Sequence, residues 1–256
     1  MQHWKMSLRA LVAIAAAAFA LIAPASAGDM STGQPQAKRG VYFSGVDAVE
    51  GATYTYSGII VATNGDLARD GVLLRAYGSW VGYDLDPGDG RGLQGDAMIG
   101  YKFTRGPVWG SIFVGVDVQD FHLSPDDPTA RVRGTETGFK VSGDLATVYG
   151  SPVHASIAGS YSTAFDSYWA RARLGAHRTR ITVGPEAIAF GNVDFEAQRL
   201  GGFLTLHDLN PFNYRPFDLT FSVGHQWVND DNGGGVVGGT GGGEGIYGTI
   251  AFSMLF

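Results

Sequence analysis

The chain has 256 residues, with 18 Lys+Arg against 24 Asp+Glu and a formal net charge of −6. That balance argues against a nucleic-acid partner, which calls for a basic face that releases counterions from phosphates. The absence of Cys excludes disulfides, thiolate zinc sites and cysteine nucleophiles. Glycine, at 39 residues, penalises helices, while 15 Phe, 11 Tyr and 5 Trp favour strands. Composition therefore points to an all-β protein outside the cytosol.

Residues 1–9 (MQHWKMSLR) carry Lys5 and Arg9, and residues 11–23 (LVAIAAAAFALIA) form an apolar run. Ala25-Ser26-Ala27 follows as a small-x-small cleavage site, which completes the three-part pattern of a secretory signal peptide over 1–27. The apolar run falls short of the ~20 residues that a membrane-crossing helix needs. Cleavage removes both leader cations and leaves 16 Lys+Arg against 24 Asp+Glu, a net charge of −8. Residues 28–40 (GDMSTGQPQAKRG) lack periodicity and read as a disordered periplasmic lead-in. No later stretch is long and apolar enough for a spanning helix, so the mature chain is either soluble or built into a membrane as strands, which must close into a barrel.

From Val41 onward, turn-forming clusters divide the chain into strands near 41–49, 54–63, 72–83, 92–103, 108–121, 134–147, 153–164, 167–177, 180–190, 196–206, 217–228 and 245–256. Their lengths suit a tilted strand that crosses a bilayer in ~9–11 residues, and twelve is even, as in single-chain bacterial outer-membrane barrels. The predicted fold is an antiparallel transmembrane β-barrel over 41–256 with about 12 strands. Two connections, 64–71 and 207–216, are long where loop parity expects short periplasmic turns, which keeps ten strands as the fallback.

Alternation is clearest in five segments. Ile112, Val114, Val116 and Val118 oppose Ser111, Asp117 and Gln119; Leu219, Phe221, Val223 and Trp227 oppose Asp218, Thr220, Ser222 and Gln226. The same holds for Leu93, Ala97, Ile99 and Tyr101 against Gln94, Asp96 and Lys102; for Ala170, Ala172 and Leu174 against Arg171 and Arg173; and for Ile246, Ile250 and Phe252 against Thr249 and Ser253. Period two places each apolar set on one sheet face. A soluble sandwich shows the same period with the burial inverted. Three features favour the membrane: Gly, Ser and Thr on the polar faces, aromatics near strand ends as in interfacial girdles, and a final alternating strand ending in Phe256. The implied partners are outer-membrane lipid and the barrel-insertion machinery, which reads such a terminal strand.

The predicted lumen carries Arg75, Asp96, Lys102, Asp117, Glu136, Lys140, Asp144, His154, Arg171, Arg173, Glu186 and Arg199. Mixed signs suit either an internal ion-pair network or a conduit whose cationic wall, Arg171 and Arg173, stands opposite acidic strands 5 and 6. Tyr77, Trp109, Phe113, Phe121 and Trp169 are candidate lumen rings for stacking on sugars, or ordinary barrel filler. His154 and Ser156 sit two apart, a spacing met by chance and in barrel lipases alike. No metal-ligand spacing involves His122, His177, His207 or His225, and no catalytic residue, cofactor or metal is expected. Ser124, Pro125, Asp126, Asp127 and Pro128 form a shaped external loop, because two prolines bracket the Asp pair. The Gly-rich 229–244 reads as a mobile external loop.

The stretch SPDDPTARVRGTETGFKVSGDL, residues 124–145, resembles the signature of the cellulose biosynthesis protein BcsS family. VYFSGVDA at 41–48, NGDLARDGVLLRAYG at 64–78 and GDGRGLQGDAMIGYKF at 88–103 are similar in kind and order. The resemblance implies an outer-membrane, non-enzymatic accessory of bacterial cellulose synthesis and secretion. It also implies cellulose or the cellulose synthase complex as partners. A generic small-solute channel and a lipid-modifying barrel enzyme are the competing expectations.

Overall fold

The computed structural model describes residues 37–85, 88–211, 215–229 and 243–256. The expected signal peptide, residues 28–36 of the expected lead-in and most of the Gly-rich loop lie outside them. Twelve strands follow in chain order: β1 (Gly40–Val49), β2 (Ala52–Ala62), β3 (Gly71–Leu85), β4 (Gly88–Arg105), β5 (Val108–Ser124) and β6 (Gly134–Thr147), then β7 (Val153–Ser162), β8 (Tyr168–Arg178), β9 (Ile181–Asn192), β10 (Phe195–Leu209), β11 (Phe217–Val228) and β12 (Gly245–Leu255). Each pairs antiparallel with its chain neighbours, and β1 pairs with β12 from Val41↔Leu255 to Ala48↔Gly248, which closes the barrel. Arg39 and Gly40 donate backbone N–H bonds to the Phe256 carbonyl at 2.7 and 3.1 Å, and Phe256 N–H donates to Gly40 at 3.0 Å. With no sheet edge left, the backbone groups of the wall are satisfied internally.

Outward positions are mostly apolar. Ile112, Val114, Val116 and Val118 of β5 are 59, 41, 57 and 42 % exposed, and Leu93, Phe139, Leu174, Leu200, Val223 and Ile250 stand outward in the same way. Inward positions are polar and buried: Asp96, Asp117, Gln119, Lys140, Glu186, Arg199 and Gln226 are all shielded by the wall. Apolar side chains outside and charged ones inside make this a transmembrane barrel rather than a soluble one.

The ten-strand fallback does not hold, and both long connections have physical explanations. Residues 63–70 fold back over the end of the barrel that carries Arg39 and Phe256. There Leu67 packs against Ala62, Leu73, Met98 and Phe113, and Leu67 N–H donates to the Lys38 carbonyl at 2.7 Å. In the second case β10 runs on to Leu209, paired with Phe217 after a register shift beyond Leu206, which shortens the true connection. The β4–β5 hairpin is also longer than the alternation suggested, with Asp89↔Ser124 as its last pair, so Ser124 closes β5 rather than opening the loop. Gly90, which falls in the expected connection between 83 and 92, lies in the wall beside Gly92. A Cβ at either would strike the ring of Tyr83 or Phe121 at 2.2–2.3 Å.

Placing a charge on the outward face separates this arrangement from its inverse. Val116→Arg is expected to destabilise the barrel by ~2–4 kcal/mol if the residue sits near the bilayer midplane, measured by urea unfolding in lipid vesicles. An unchanged midpoint contradicts the outward assignment.

Candidate functional site

Two polar clusters occupy opposite parts of the interior. In the first, Lys140 Nζ reaches Asp96 at 2.8 Å and Asp117 at 3.7 Å, and Arg75 bonds Ser142 at 3.0 Å and meets Asp96 at 3.5 Å. Gln94 and Gln119 donate to the Asp117 carboxylate at 3.1 and 2.7 Å, and Gln119 reaches on to Ser167 Oγ at 2.7 Å. In the second, Arg199 pairs with Asp47 at 2.8 Å and bonds Gln226 Oε1 at 2.7 Å, while Thr249 donates to Asp47 at 2.5 Å. Arg173 Nε donates to Glu186, whose other oxygen accepts from Tyr247 at 3.3 Å. Buried charges persist only when paired and hydrogen-bonded, and removing one member leaves its partner uncompensated.

Between the clusters runs a cavity of about 1090 Å³. One wall is aromatic: Phe43, Tyr54, Tyr56 and Tyr77 from β1–β3. Tyr77 stacks on Phe43 and Tyr56 with ring centroids 6.3 and 6.2 Å apart, and its hydroxyl bonds that of Tyr54. In a ring of twelve strands β8 stands opposite β2, and β8 supplies Trp169, Arg171 and Arg173 to the cavity lining. The cationic wall therefore faces aromatic rings and not acidic strands 5 and 6, whose Asp117 is bound by Lys140 and the two glutamines.

The candidate rings divide by environment. Tyr77, Trp109, Phe121 and Trp169 line the cavity. Lys102 lies 5.8 Å from the Trp109 centroid and Arg171 5.1 Å from that of Trp169. Phe113, 1 % exposed, is instead sealed in the apolar cluster with Ala62, Leu73 and Met98. His154 and Ser156 point inward, and His154 meets the Phe203 ring edge to face with centroids 5.9 Å apart.

The loop that follows β5 arches over the end of the barrel remote from the termini. Arg131 N–H and Val132 N–H donate to Asp194 Oδ2 at 2.9 and 3.0 Å, and Arg131 Nε to Oδ1 at 2.6 Å. Val132 is thereby buried against Val81, Tyr83, Phe121, Leu123 and Phe165. Asp126 approaches Arg133 at 3.6 Å. The Thr129 hydroxyl and N–H donate to Asp127 Oδ1 at 2.7 and 2.8 Å, holding the Asp127 carboxyl below its usual pKa. Ser124 stays in the wall, and Pro125 and Pro128 flank the acidic pair at the loop's start.

At the opposite end lies a group that spacing did not reveal. Thr182 Oγ1 bonds His177 Nδ1 and His207 Nε2, each at 2.8 Å, and His207 Nδ1 meets Asp218 at 3.0 Å. Tyr149 lies 5.3 Å from both imidazoles and donates to Asp208 at 2.8 Å. Hairpin register was the available signal, since His177 pairs directly with Thr182. Among the described residues no group of three or more His, Asp or Glu could hold a metal ion.

Three comparisons bear on identity. The sequence profile of the family described as "Cellulose biosynthesis protein BcsS" matches residues 41–256. No curated protein matches. Among solved structures the chain is similar to "KdgM porin", with 9 % identity, 84 % of this chain and 99 % of that chain covered, and a TM-score of 0.47. For "CdiB from Acinetobacter baumannii" the figures are 8 %, 86 % and 60 %, with a TM-score of 0.40; for the β domain of the Bordetella autotransporter BrkA they are 10 %, 85 % and 98 %, also at 0.40. These scores are low, and the barrel rests on the chain's own strand pairing.

Desolvation, followed by the hydrogen bond to the Asp208 carboxylate, raises Tyr149 to about 12 from the ordinary 10.0. The neutral phenol's contribution to stability is thus complete below pH 10 and is lost as pH rises through 12. Tyrosine titration resolved by residue with NMR should place Tyr149 near 12 and move it down in Asp208→Asn. No change in that variant contradicts the assignment.

Proposed function

The chain belongs to the cellulose biosynthesis protein BcsS family, and on that premise we propose that it is an outer-membrane accessory of cellulose production and secretion. Its role is non-enzymatic. The observation that carries this reading is the family match over the whole barrel, 41–256, joined to an exterior that only lipid solvates well. The barrel enters the outer membrane through the insertion machinery, which engages β12 and Phe256. Its termini then face the periplasm, and the loop between β5 and β6 faces outward. Cellulose, or the synthase complex that makes it, is the partner this role requires.

A small-solute channel is the second reading, favoured by the cavity of about 1090 Å³. Catalysis on lipid gains nothing from the geometry, because His154 and Ser156 face the interior while acyl chains lie outside the wall.

Deleting the gene and scoring extracellular cellulose by dye binding tests the proposal. Reduced or mislocalised cellulose, restored by the wild-type gene, is the expected result. Normal cellulose, together with ohmic conductance of the purified barrel in planar bilayers, overturns it in favour of the channel.

A further inference from the structure

The lumen is cationic in an acidic protein. The cavity lining includes seven Lys or Arg against three Asp or Glu. Counting Asp96 and Asp117, which are buried behind it on Lys140, still leaves an excess of two, whereas the whole chain carries −6. Arg75, Lys140, Arg173 and Arg199 are held by carboxylates, and Lys102 by the Leu67 carbonyl, but Arg171 in the middle of the β8 wall is not. Among the described residues no carboxylate lies within ion-pair distance of it, and its guanidinium rests on the Trp169 ring.

Arg171 shares a rung with two neighbours that shape a floor. The register runs Asp144↔Ala158 and Ala158↔Arg171, so a residue with only a methyl side chain separates the acid from the base. Two strand spacings place their backbones about 10 Å apart, and the two side chains do not form an ion pair but both turn to the cavity. Asp144 accepts from Ser111 Oγ at 3.2 Å and keeps further lone pairs toward the cavity. Across the lumen stands the stacked pair Tyr56 and Tyr77, with Tyr56 within electrostatic range of both Arg171 and Arg173. A π face, a carboxylate acceptor and a planar guanidinium donor are the groups that a sugar bearing an acidic substituent engages. The ring's C–H face stacks on the aromatics, its hydroxyls donate to the acid, and its carboxylate takes the bidentate fork.

We propose that this part of the lumen is a binding site for an anionic saccharide, with Arg171 as the residue that reads the charge and Tyr56 and Tyr77 as the stacking surface. The site shares the lumen with the functional reading above but does not need the cellulose role, and the two fail separately.

The test uses the full barrel purified in detergent, with two probes of equal length: cellotetraose, and cellotetraose oxidised to the carboxylate at C6. Binding is followed by calorimetry and by tryptophan emission. The carboxylated probe should bind about tenfold more tightly, an advantage worth ~1.4 kcal/mol, and the advantage should shrink as salt rises. Arg171→Gln should erase the preference while leaving the weaker neutral binding in place, and Arg171→Lys should restore part of it. Tyr56→Leu should weaken both probes. Circular dichroism of each variant establishes that the barrel is folded. Equal binding of the two probes by the wild-type barrel, or no binding of either, overturns the proposal. So does a preference that survives in folded Arg171→Gln. None of these results bears on whether deletion of the gene alters cellulose.

Discussion

The pairing of β1 with β12 is the constraint on which the other features depend. Once Val41 meets Leu255 and Ala48 meets Gly248, the sheet has no free edge and its wall needs no water to satisfy its backbone. Only then can Ile112, Val116, Leu174 and Val223 turn outward without cost, since the surrounding medium can be hydrocarbon. The same closure encloses the other face of every strand, and there the chain has placed its acids and bases. Apolar exterior and charged interior are thus one consequence of period two applied to a closed sheet.

Enclosure in turn explains why the interior is organised as pairs. Asp96, Asp117, Lys140, Glu186 and Arg199 are all buried, and a charge in such a place must find a counter-charge or a hydrogen-bond donor. The partners come from different strands: β3, β4, β5 and β6 in one cluster, and β1, β8, β9, β10, β11 and β12 in the other. The clusters brace the wall from within. The cavity between them has two walls that differ in kind: Phe43, Tyr54, Tyr56 and Tyr77 on one side, and Trp169, Arg171 and the paired Arg173 on the other. The tucked loops add to this. Leu67 at one end and Val132 at the other carry apolar side chains onto the small clusters at the mouths, so the ends are narrowed by packing while the middle is held by charge.

Much of this architecture was legible in the residues themselves. Strands such as β5 and β11 alternate cleanly because their outward positions are Val, Ile or Phe and their inward ones Asp, Ser or Gln. The inward identity of Lys140, Glu186, Arg173 and Arg199 followed from parity alone. The first hairpin was opaque for a physical reason. The inward face of β1–β2 carries Phe43, Tyr54 and Tyr56, while the outward face includes Ser44, Thr53, Thr55 and Ser57, so the hydropathy signal is reversed where the aromatic wall is built. Arg171 and Arg173 were visible as a cationic pair, but what they face depends on strand order around the ring, which alternation does not encode. Phe113 looked like a stacking surface because its parity is inward; its burial beneath Leu67 depends on a loop whose sequence, NGDLARDG, resembles an exposed turn. The Thr182 hydrogen bonds to His177 and His207 escaped notice because they join three strands at their ends.

Which face of the wall meets lipid can be read directly. The chain has no Cys, so single cysteines placed in turn from residue 112 to 118 of β5 each carry one environment-sensitive label. The barrel is then reconstituted in vesicles that contain a lipid-borne quencher. Strong quenching is expected at 112, 114, 116 and 118 and weak quenching at 113, 115 and 117. A flat profile, or one with the odd positions quenched, would contradict the outward assignment.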